Sequence, residues 1–425
     1  MKVMLTFGGM PPYLKALLDK IQSADGIDIT AVLPSQGKGA TIGRGVKTVE
    51  GGSFRTLHIP ERRMCYGKAG FPDLPALVRG ERPDLLVLGW PYFLQVSLQP
   101  SLRRAMREAD TRLLIREIPF QTPPYGQIRD WFSRHPMYDE NMRLLSRGPL
   151  FLLRQWITAR LRRACYARAC GTLNYSTAAL DILPSYGVPP SHIHVTFNTT
   201  DTDTLWRERE AAQDSPPLLP PASNRLLHIG RLVAWKRTDL LIRAFADILP
   251  RHPDTELLIV GDGPELPCLR ELAASLRLTA GGWETPTCGG LVRFVGAVHD
   301  PRRLGACMSE SDIYVLAGMG GLSINDAMAY GLPVVCSVCD STERDLLTDG
   351  ISGLFFREGD LSSLSSCLDR LLSSPDLRHR MGQAAEQVIR EKINIRTVAQ
   401  RYADAFRNSV DEETSQRGNK RTRGS

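Results

Sequence analysis

Two consecutive series of short apolar runs, each run followed by an amphipathic stretch of helical period, constrain the fold of this 425-residue chain most strongly. Strand-like runs alternating with helices indicate a parallel α/β sheet. The strand-like runs of the first series lie at 2–7, 28–34, 84–90, 111–118, 171–177 and 192–198, and those of the second at 225–230, 255–263, 291–298, 312–318, 332–337 and 352–356. The pattern predicts an α/β fold of two Rossmann-like, doubly wound parallel-sheet domains. Such sheets bind ligands outside the carboxyl ends of their strands, so we expect the ligand in a cleft between the domains.

Composition between the two series sets the expected domain boundaries. Residues 207–224 are rich in Pro, Ser, Ala and charge, which is typical of an interdomain linker. Residues 410–425 are polar and lack apolar periodicity, which predicts disorder. We therefore predict an N-terminal domain at 1–208, a linker at 209–224, a C-terminal domain at 225–390, a final helix at 391–409 and a disordered tail at 410–425.

Several features favour a soluble cytoplasmic protein. The chain has no run of 18 or more apolar residues, so we expect no spanning helix. The apolar run before Gly8 is short and reads as a first strand, not as a signal peptide. Nine cysteines, an odd number without regular spacing, favour a reducing compartment. We expect Cys336 and Cys339, which form a CxxC in an apolar stretch, to be buried thiols.

One short segment points towards a ligand. Residues 316–335, LAGMGGLSINDAMAYGLPVV, read as a strand end, a glycine-rich turn, a short helix and a further strand. Glycine allows close approach of a ligand to the backbone, and a helix N-terminus favours an anion, most often phosphate. The alternative is a tight strand-to-helix turn without a ligand.

Three further clusters in the second series follow strand ends in the same way. The carboxyl ends of parallel strands meet at one edge of a sheet, so four clusters in phase with the strands predict a single site. Arg and Lys can neutralise a diphosphate, and a carboxylate one turn into a helix can accept both ribose hydroxyls. The sequence therefore predicts a nucleoside-diphosphate site. Its residues are Gly230, Arg231, Lys236, Gly261, Gly263, Gly296, Gly320, Gly321, Leu322 and Asp326.

These motifs carry a family resemblance. The order G-R-L-x-x-W-K, V-G-D-G-P, F-x-G and G-L-x-x-x-[E/D]-A-M-A-x-G-x-P-V-V, followed by ERDLLTDGISGLFF, resembles the family-4 retaining glycosyltransferases of GT-B fold, known as glycosyl transferases group 1. The resemblance covers about 225–400. The N-terminal half resembles that family more in layout than in motifs.

The resemblance implies a nucleotide-sugar donor held mainly by the C-terminal domain, and a final helix that crosses back to the N-terminal domain. By motif position, Arg231 and Lys236 would neutralise the leaving diphosphate. Asp326 would bind the ribose, one methylene shorter than the usual Glu. Gly320, Gly321 and Leu322 would contact phosphate or sugar through backbone N–H groups. Gly8 and Gly9 resemble the N-domain loop that faces donor phosphates and acceptor.

The sequence departs from the family pattern at two positions. Gly318 stands where the family usually has a Glu that contacts the donor sugar. In place of a frequent His after the strand near 111–116, the nearest residues are Arg116 and Glu117. Glu117 is a candidate catalytic residue that orients an acceptor hydroxyl or the sugar. The alternative is a salt bridge to Arg116 or another neighbour.

The expected reaction is sugar transfer to an acceptor hydroxyl with retention at the anomeric carbon. The dispersed histidines form no ligand cluster, so we expect no metal and no cofactor. Two alternatives remain open, a nucleotide-sugar epimerase of the same fold and a non-catalytic scaffold, which the loss of Glu at 318 makes plausible.

A basic amphipathic segment suggests the acceptor. Residues 141–170 contain seven arginines and no acidic residue, together with the apolar side chains of Leu150, Phe151, Leu152, Leu153, Trp156 and Ile157. Such a segment suits an anionic membrane surface, although a helix covering the core is the alternative. Nucleic acid is not expected, because the basic excess is confined to one patch without a nucleic-acid motif. We therefore expect peripheral contact with the inner face of the plasma membrane and a glycan or lipid-linked glycan acceptor in surface-polysaccharide or lipopolysaccharide biosynthesis.

Overall fold

The computed structural model describes residues 1–40, 42, 47–118, 122–145, 148–213, 216–339 and 341–421. The chain divides into two compact units. The N-terminal unit comprises Met1–His135, Ser146–Asn198 and the chain from Ile395, and the C-terminal unit comprises Pro136–Leu145 and Thr199–Asn394. A short stretch from the first half of the sequence thus belongs to the second unit.

The N-terminal unit is built on a seven-stranded parallel sheet with the strand order β3-β2-β1-β6-β7-β8-β9. These strands are β1 Lys2–Thr6, β2 Asp28–Pro34, β3 Arg55–Ile59, β6 Leu85–Gly89, β7 Arg112–Glu117, β8 Gly171–Asn174 and β9 Ile193–Val195. Strands β4 Arg62–Arg63 and β5 Ala69–Gly70 form a separate antiparallel pair. Most residues of β1, β6 and β7 are buried, as expected for parallel strands covered on both faces.

Helices surround this sheet. They are α1 Pro12–Gln22, α2 Leu74–Glu81, α3 Leu94–Leu98, α4 Pro100–Glu108, α5 Ile128–Arg134, α6 Pro149–Tyr166, α7 Ala178–Ile182 and the last helix of the chain, α16 Ile395–Arg421, with short 3-10 turns at Leu183–Tyr186 and Pro190–His192. Helix α1 begins with a proline at its first position and buries Leu14, Leu17, Leu18 and Ile21, the spacing of one helical face. Helix α16 packs against α1.

The C-terminal unit repeats the architecture with the strand order β12-β13-β11-β10-β14-β15-β16, again parallel throughout. Its strands are β10 Asn224–Ile229, β11 Thr255–Val260, β12 Thr279–Gly281, β13 Leu291–Phe294, β14 Ile313–Leu316, β15 Val334–Cys336 and β16 Gly353–Phe355. Its helices are α8 Thr202–Gln213, α9 Thr238–Ile248, α10 Leu266–Ser275, α11 Pro301–Ser309, α12 Ser323–Ala329, α13 Thr342–Leu346, α14 Leu361–Leu372 and α15 Pro375–Glu391, with a 3-10 turn at Ala234–Lys236. Leu241 and Phe245 of α9 lie fully buried among the strand residues. The predicted α/β class with two doubly wound parallel sheets is confirmed.

An ion cluster is buried in the C-terminal sheet. The side chains of Glu256 and Arg293 are fully buried and 3.0 Å apart, and Arg225, only 3% exposed, also pairs with Glu256. Removal of Glu256 would leave the Arg293 charge with no ionic partner among the described residues and Arg225 with Glu310 at 3.9 Å, in a medium of low dielectric.

The boundaries differ from the sequence prediction in several places. Residues 199–208 belong to the C-terminal unit, because α8 packs on α11 and α12. The predicted linker starts inside α8, and residues 214 and 215 lie outside the described residues. The predicted final helix at 391–409 begins later, at Ile395, because α15 ends at Glu391 and the Asn394 side chain donates hydrogen bonds to the carbonyls of Ile389 and Arg390 at the end of α15.

The predicted disordered tail is helical as far as the structure describes it. Helix α16 continues to Arg421, and residues 422–425 lie outside the described residues. Disorder was inferred from polarity and the lack of apolar periodicity. However, Glu, Gln, Lys and Arg are good helix formers, and extension of an existing helix avoids the cost of nucleation.

Candidate functional site

The loops that follow β10, β11 and β13 in the C-terminal unit are hydrogen-bonded to one another. The N–H of Gly230 donates to the carbonyl of Val260 at 3.0 Å, and the N–H of Gly261 donates to the carbonyl of Gly296 at 2.8 Å. The N–H of Leu232 donates to the carbonyl of Asp262 at 2.9 Å. The structure therefore brings together three of the four clusters that the sequence analysis assigned to one rim.

Two of the predicted donor-binding glycines have a packing reason to be glycine. A Cβ atom at Gly261 would lie 1.9 Å from the carbonyl oxygen of Gly230, and one at Gly263 would lie 2.2 Å from that of Leu232. Backbone cannot move aside as a flexible side chain can, so both loops require glycine to approach each other. Gly296 has a left-handed φ of +73°, with open space around it. The glycines thus shape the rim, whether or not they also touch a ligand.

Lys236 joins the fourth cluster to this rim. Its Nζ atom donates hydrogen bonds to the carbonyls of Met319 at 2.7 Å and Gly320 at 2.6 Å, both in the glycine-rich turn after β14. A Cβ at Gly321 would lie 3.2 Å from the same ammonium. The positive charge of Lys236 is therefore held at the turn that was predicted to face the diphosphate, and Leu322 follows as the residue before α12.

The backbone at 235–236 explains why Gly318 replaces the usual Glu. A Cβ at position 318 would lie 2.2 Å from the carbonyl oxygen of Trp235 and 2.6 Å from the carbonyl carbon of Lys236. The Trp235 carbonyl also accepts a hydrogen bond from the N–H of Met319 at 2.9 Å. The loop that carries Lys236 occupies the space that a side chain at 318 would need.

Arg231 has a partner that the sequence analysis missed. Its Nη2 atom lies 2.7 Å from the Glu140 carboxylate, and both side chains are about one-third exposed, 31% and 36%. The backbone carbonyl of Glu140 accepts a hydrogen bond from the N–H of Trp235 at 3.2 Å. Glu140 lies in the short stretch Pro136–Leu145 that belongs to this unit. No sequence signal indicated the pairing, because Glu140 lies 91 residues before Arg231 and outside any motif.

Asp326, predicted to bind ribose, sits on α12 with a half-buried side chain. Its buried Oδ1 atom makes no hydrogen bond to any residue that the structure describes. Burial raises the pKa of the Asp326 carboxyl to about 7. A carboxylate that is desolvated yet lacks a full set of partners costs stability and remains available as an acceptor for hydroxyl groups.

The predicted residues of the N-terminal unit lie at the ends of β1 and β7. Gly8 accepts a hydrogen bond from the N–H of Gly39 at 2.6 Å, and a Cβ at Gly9 would lie 2.8 Å from Ile42. Glu117 is 2% exposed and its carboxylate lies 2.6 Å from Arg162 of α6. Glu117 therefore forms the salt bridge that was the alternative to a catalytic role. Its partner is Arg162 and not Arg116.

The described part of the chain contains no candidate metal centre. Among the residues that the structure describes, no group of three or more His, Cys, Asp or Glu side chains could hold a metal ion. Within the same residues, no cysteine forms a disulfide. The chemistry available at the rim of the C-terminal unit is therefore that of the cations Arg231 and Lys236, a carboxyl group and backbone dipoles.

Comparisons with known proteins agree with this geometry. Residues 210–388 match the family Glycosyl transferases group 1. The phosphatidyl-myo-inositol mannosyltransferase of Mycolicibacterium smegmatis is 33% identical over 183 residues, which are 41% of this chain and 44% of that protein. The chain spans about half the length of the curated relatives it matches.

Two solved structures are similar over nearly the whole chain. Anabaena HepE in complex with UDP has a TM-score of 0.63 at 16% identity, with 96% of this chain and 99% of that chain covered. Sucrose-phosphate synthase from Thermosynechococcus elongatus has a TM-score of 0.64 at 17% identity, with 96% and 98% covered. At such low identity the likeness shows the fold alone. The chain therefore has the GT-B fold, and its residues 210–388 match the glycosyl transferases group 1 family.

Proposed function

We propose that the protein is a retaining glycosyltransferase that moves a sugar from a nucleoside diphosphate sugar to an acceptor hydroxyl. The observation that carries the proposal is the convergence of Arg231, Lys236 and the 318–322 turn at one rim of the C-terminal unit. The family match over the same residues supports it, as does the UDP complex of a protein with the same fold.

The leaving diphosphate sets the main chemical demand. As the bond between the anomeric carbon and the diphosphate oxygen breaks, negative charge grows on that oxygen. Preorganised cations and dipoles aimed at developing charge are usually the largest catalytic term. Arg231 presents a planar fork of N–H donors, and Lys236 presents an ammonium already fixed by two carbonyls.

Retention follows from a transfer on one face of the sugar. The acceptor oxygen forms a bond to the anomeric carbon on the side that the diphosphate leaves, and the acceptor proton passes to the departing phosphate oxygen. This route needs no protein nucleophile. Its support is that Glu117, the one carboxylate considered for catalysis, is engaged with Arg162.

The acceptor proposal rests on α6. Four large apolar side chains of this helix are exposed between 45% and 61%, and they are Leu150, Leu153, Trp156 and Ile157. Arg154 and Arg160 are exposed on the same helix, with the Arg160 guanidinium 3.7 Å from the centre of the Trp156 ring. A face of this kind suits anionic lipid. We propose that it holds the enzyme at the inner face of the plasma membrane.

Not every arginine of the segment 141–170 contributes to that face. Arg162 is paired with Glu117, and its guanidinium lies 4.2 Å from the centre of the Trp90 ring. Its charge is therefore used within the unit and not at the exposed face of α6. Ser146 and Arg147 lie outside the described residues. None of the described helices is long and apolar enough to cross a bilayer.

A lipid-linked glycan acceptor in surface-polysaccharide or lipopolysaccharide synthesis fits a membrane-bound transferase. Support comes from the relative that is named for mannosyl transfer to a phosphatidylinositol.

The test measures release of nucleoside diphosphate from a panel of nucleotide sugars, with and without acceptor glycans. Arg231→Ala and Lys236→Ala should each lose about 100- to 1000-fold in rate, the usual effect of removing one such donor. Arg104→Ala, an exposed arginine of α4, is the matched control. Wild-type rates in both rim variants would refute the diphosphate role.

The same panel separates the alternatives. An epimerase would convert the donor sugar without any acceptor, whereas a transferase needs one. A scaffold would bind no common nucleotide sugar in calorimetry.

A further inference from the structure

We propose that the N-terminal unit contains an anion site centred on the Arg116 guanidinium, which binds a phosphate or carboxylate group of the acceptor. The inference deepens the proposed function and rests on it, since it names the chemistry of the acceptor. None of the residues involved belongs to the donor rim of the C-terminal unit.

The position of Arg116 is that of a ligand-binding residue in an open α/β sheet. It is the residue before the last in β7, whose neighbour β8 ends at Asn174. Phe7 follows β1 and Tyr175 follows β8 directly, so all three residues lie at the carboxyl edge of the sheet. Ligands of such sheets bind at this edge.

Two aromatic rings hold the guanidinium in place. The carbon at its centre lies 5.0 Å from the centre of the Phe7 ring and 4.9 Å from that of the Tyr175 ring. Both rings belong to buried residues, while Arg116 itself is half-buried. Aromatic faces attract a cation but accept no conventional hydrogen bond in the plane of the fork. These two ring contacts position the side chain without using its N–H donors.

The Arg116 side chain differs from other arginines of the unit in its polar contacts. It makes neither a hydrogen bond nor an ion pair with any residue that the structure describes, although other arginines of the unit do. Arg162 is paired with Glu117, and Arg103 donates to the carbonyls of Val96 and Ser97 at 2.9 Å. The carboxylate of the adjacent residue, Glu117, is therefore paired with Arg162 and not with Arg116. A half-buried guanidinium with five N–H donors and no acceptor is suited to an anion that arrives from outside.

Tyr13 supplies a second donor near this charge. It lies in the first turn of α1, and burial raises the pKa of its hydroxyl although the charge of Arg116 opposes the shift. The phenol therefore keeps its proton at neutral pH. Its hydroxyl, like the Arg116 fork, makes no hydrogen bond to a described residue.

The donor set selects the ligand class. A planar fork binds the two oxygens of a phosphate or a carboxylate side by side, which a neutral sugar hydroxyl cannot match. A sugar phosphate, a lipid phosphate or an acidic sugar would each present such a group. The donor diphosphate is the competing source, and the experiment must separate it from the acceptor.

The experiment measures phosphate binding without turnover. Calorimetric titrations with inorganic phosphate are carried out at constant ionic strength, with saturating UDP present to occupy the donor rim. Wild type is compared with Arg116→Gln, Arg116→Lys and the control Arg104→Gln. We expect Arg116→Gln to weaken phosphate binding by about 10- to 100-fold, the usual effect of losing a charge-assisted hydrogen bond. Arg116→Lys should lose less, and Arg104→Gln should match wild type.

Further titrations identify the source of the anion. Glycerol 3-phosphate should compete with inorganic phosphate, and the affinity for UDP should be the same in wild type and Arg116→Gln. Equal phosphate affinity in wild type and both Arg116 variants would overturn the proposal, as would no phosphate binding by wild type. Loss of UDP affinity in Arg116→Gln would overturn it as well, because the residue would then serve the donor.

A failure of this proposal can be distinguished from a failure of the proposed function. If wild type binds UDP and Arg231→Ala does not, the donor site stands even where phosphate binding at Arg116 fails. Circular dichroism and the melting temperature of each variant show whether it is folded, and Arg116→Lys retains the charge should Arg116→Gln unfold.

Discussion

Asp326→Asn should abolish a pH dependence of donor binding that the wild-type protein shows. Burial raises the pKa of Asp326 to about 7, and only the ionised carboxylate accepts both hydroxyls of a ribose. Raising the pH from 6 to 8 takes the ionised fraction from about 9% to about 91%, which follows from a pKa near 7. Donor affinity should therefore increase by about 10-fold across this range in wild type.

The assay is calorimetry with UDP-glucose at pH 6, 7 and 8, at constant ionic strength. UDP-glucose is preferred to UDP because its diphosphate has no terminal phosphate that titrates in this range. In Asp326→Asn the affinity should not change with pH, and at pH 8 it should be about 10- to 100-fold weaker than in wild type. Asp254→Asn, at an exposed position in the loop before β11, should behave as wild type.

Stability should change in the opposite sense to binding. Since the folded-state pKa is raised, the protonated carboxyl favours folding, and this contribution decreases as the pH rises from the ordinary aspartate pKa of 3.8 through about 7. Asp326→Asn should therefore raise the melting temperature more at pH 8 than at pH 5. A flat binding profile in wild type, or the same slope in Asp326→Asn, would refute the reasoning.

Three further predictions concern other parts of the chain. Glu140→Gln removes the carboxylate from Arg231 and should strengthen UDP binding by about 2- to 5-fold, in line with a partly exposed ion pair; weaker binding in calorimetry would show that Glu140 assists the ligand. Trp156→Glu should reduce sedimentation of the protein with anionic lipid vesicles, whereas Leu361→Glu, at an exposed leucine of the C-terminal unit, should not; equal sedimentation would remove the membrane argument. Glu256→Ala should lower the free energy of unfolding in urea by about 3–5 kcal/mol, because the buried Arg293 loses its counter-ion and Arg225 keeps only the more distant Glu310; a loss below about 1 kcal/mol would contradict this account.

The sequence indicated the donor rim because strands and helices can be identified from residues close together in the chain. Apolar periodicity identifies strands and helices, and parallel strands place their carboxyl ends at one edge of a sheet. Arg231 and Lys236 could thus be assigned to one rim with the 318–322 turn, and the structure places Lys236 against that turn. The same periodicity predicted the two doubly wound sheets.

The sequence misjudged features that depend on how the chain continues in space. The stretch Pro136–Leu145 joins the C-terminal unit, whereas the sequence prediction placed it in the N-terminal domain at 1–208. The polar end of α16 is helical because an existing helix extends into it. Neither the unit to which a stretch belongs nor the extension of a helix can be predicted from the types of a few neighbouring residues.

The sequence by itself determined the strand and helix pattern, and with it the edge at which cations and glycines collect. Only the tertiary structure decided which charges are paired. Glu140 reaches Arg231 across 91 residues, Glu117 is bound by Arg162, and Arg116 contacts two rings and has no acceptor among the described residues. The physical reason is that periodicity acts between residues close in sequence, whereas an ion pair depends on distances that the paths of the loops set.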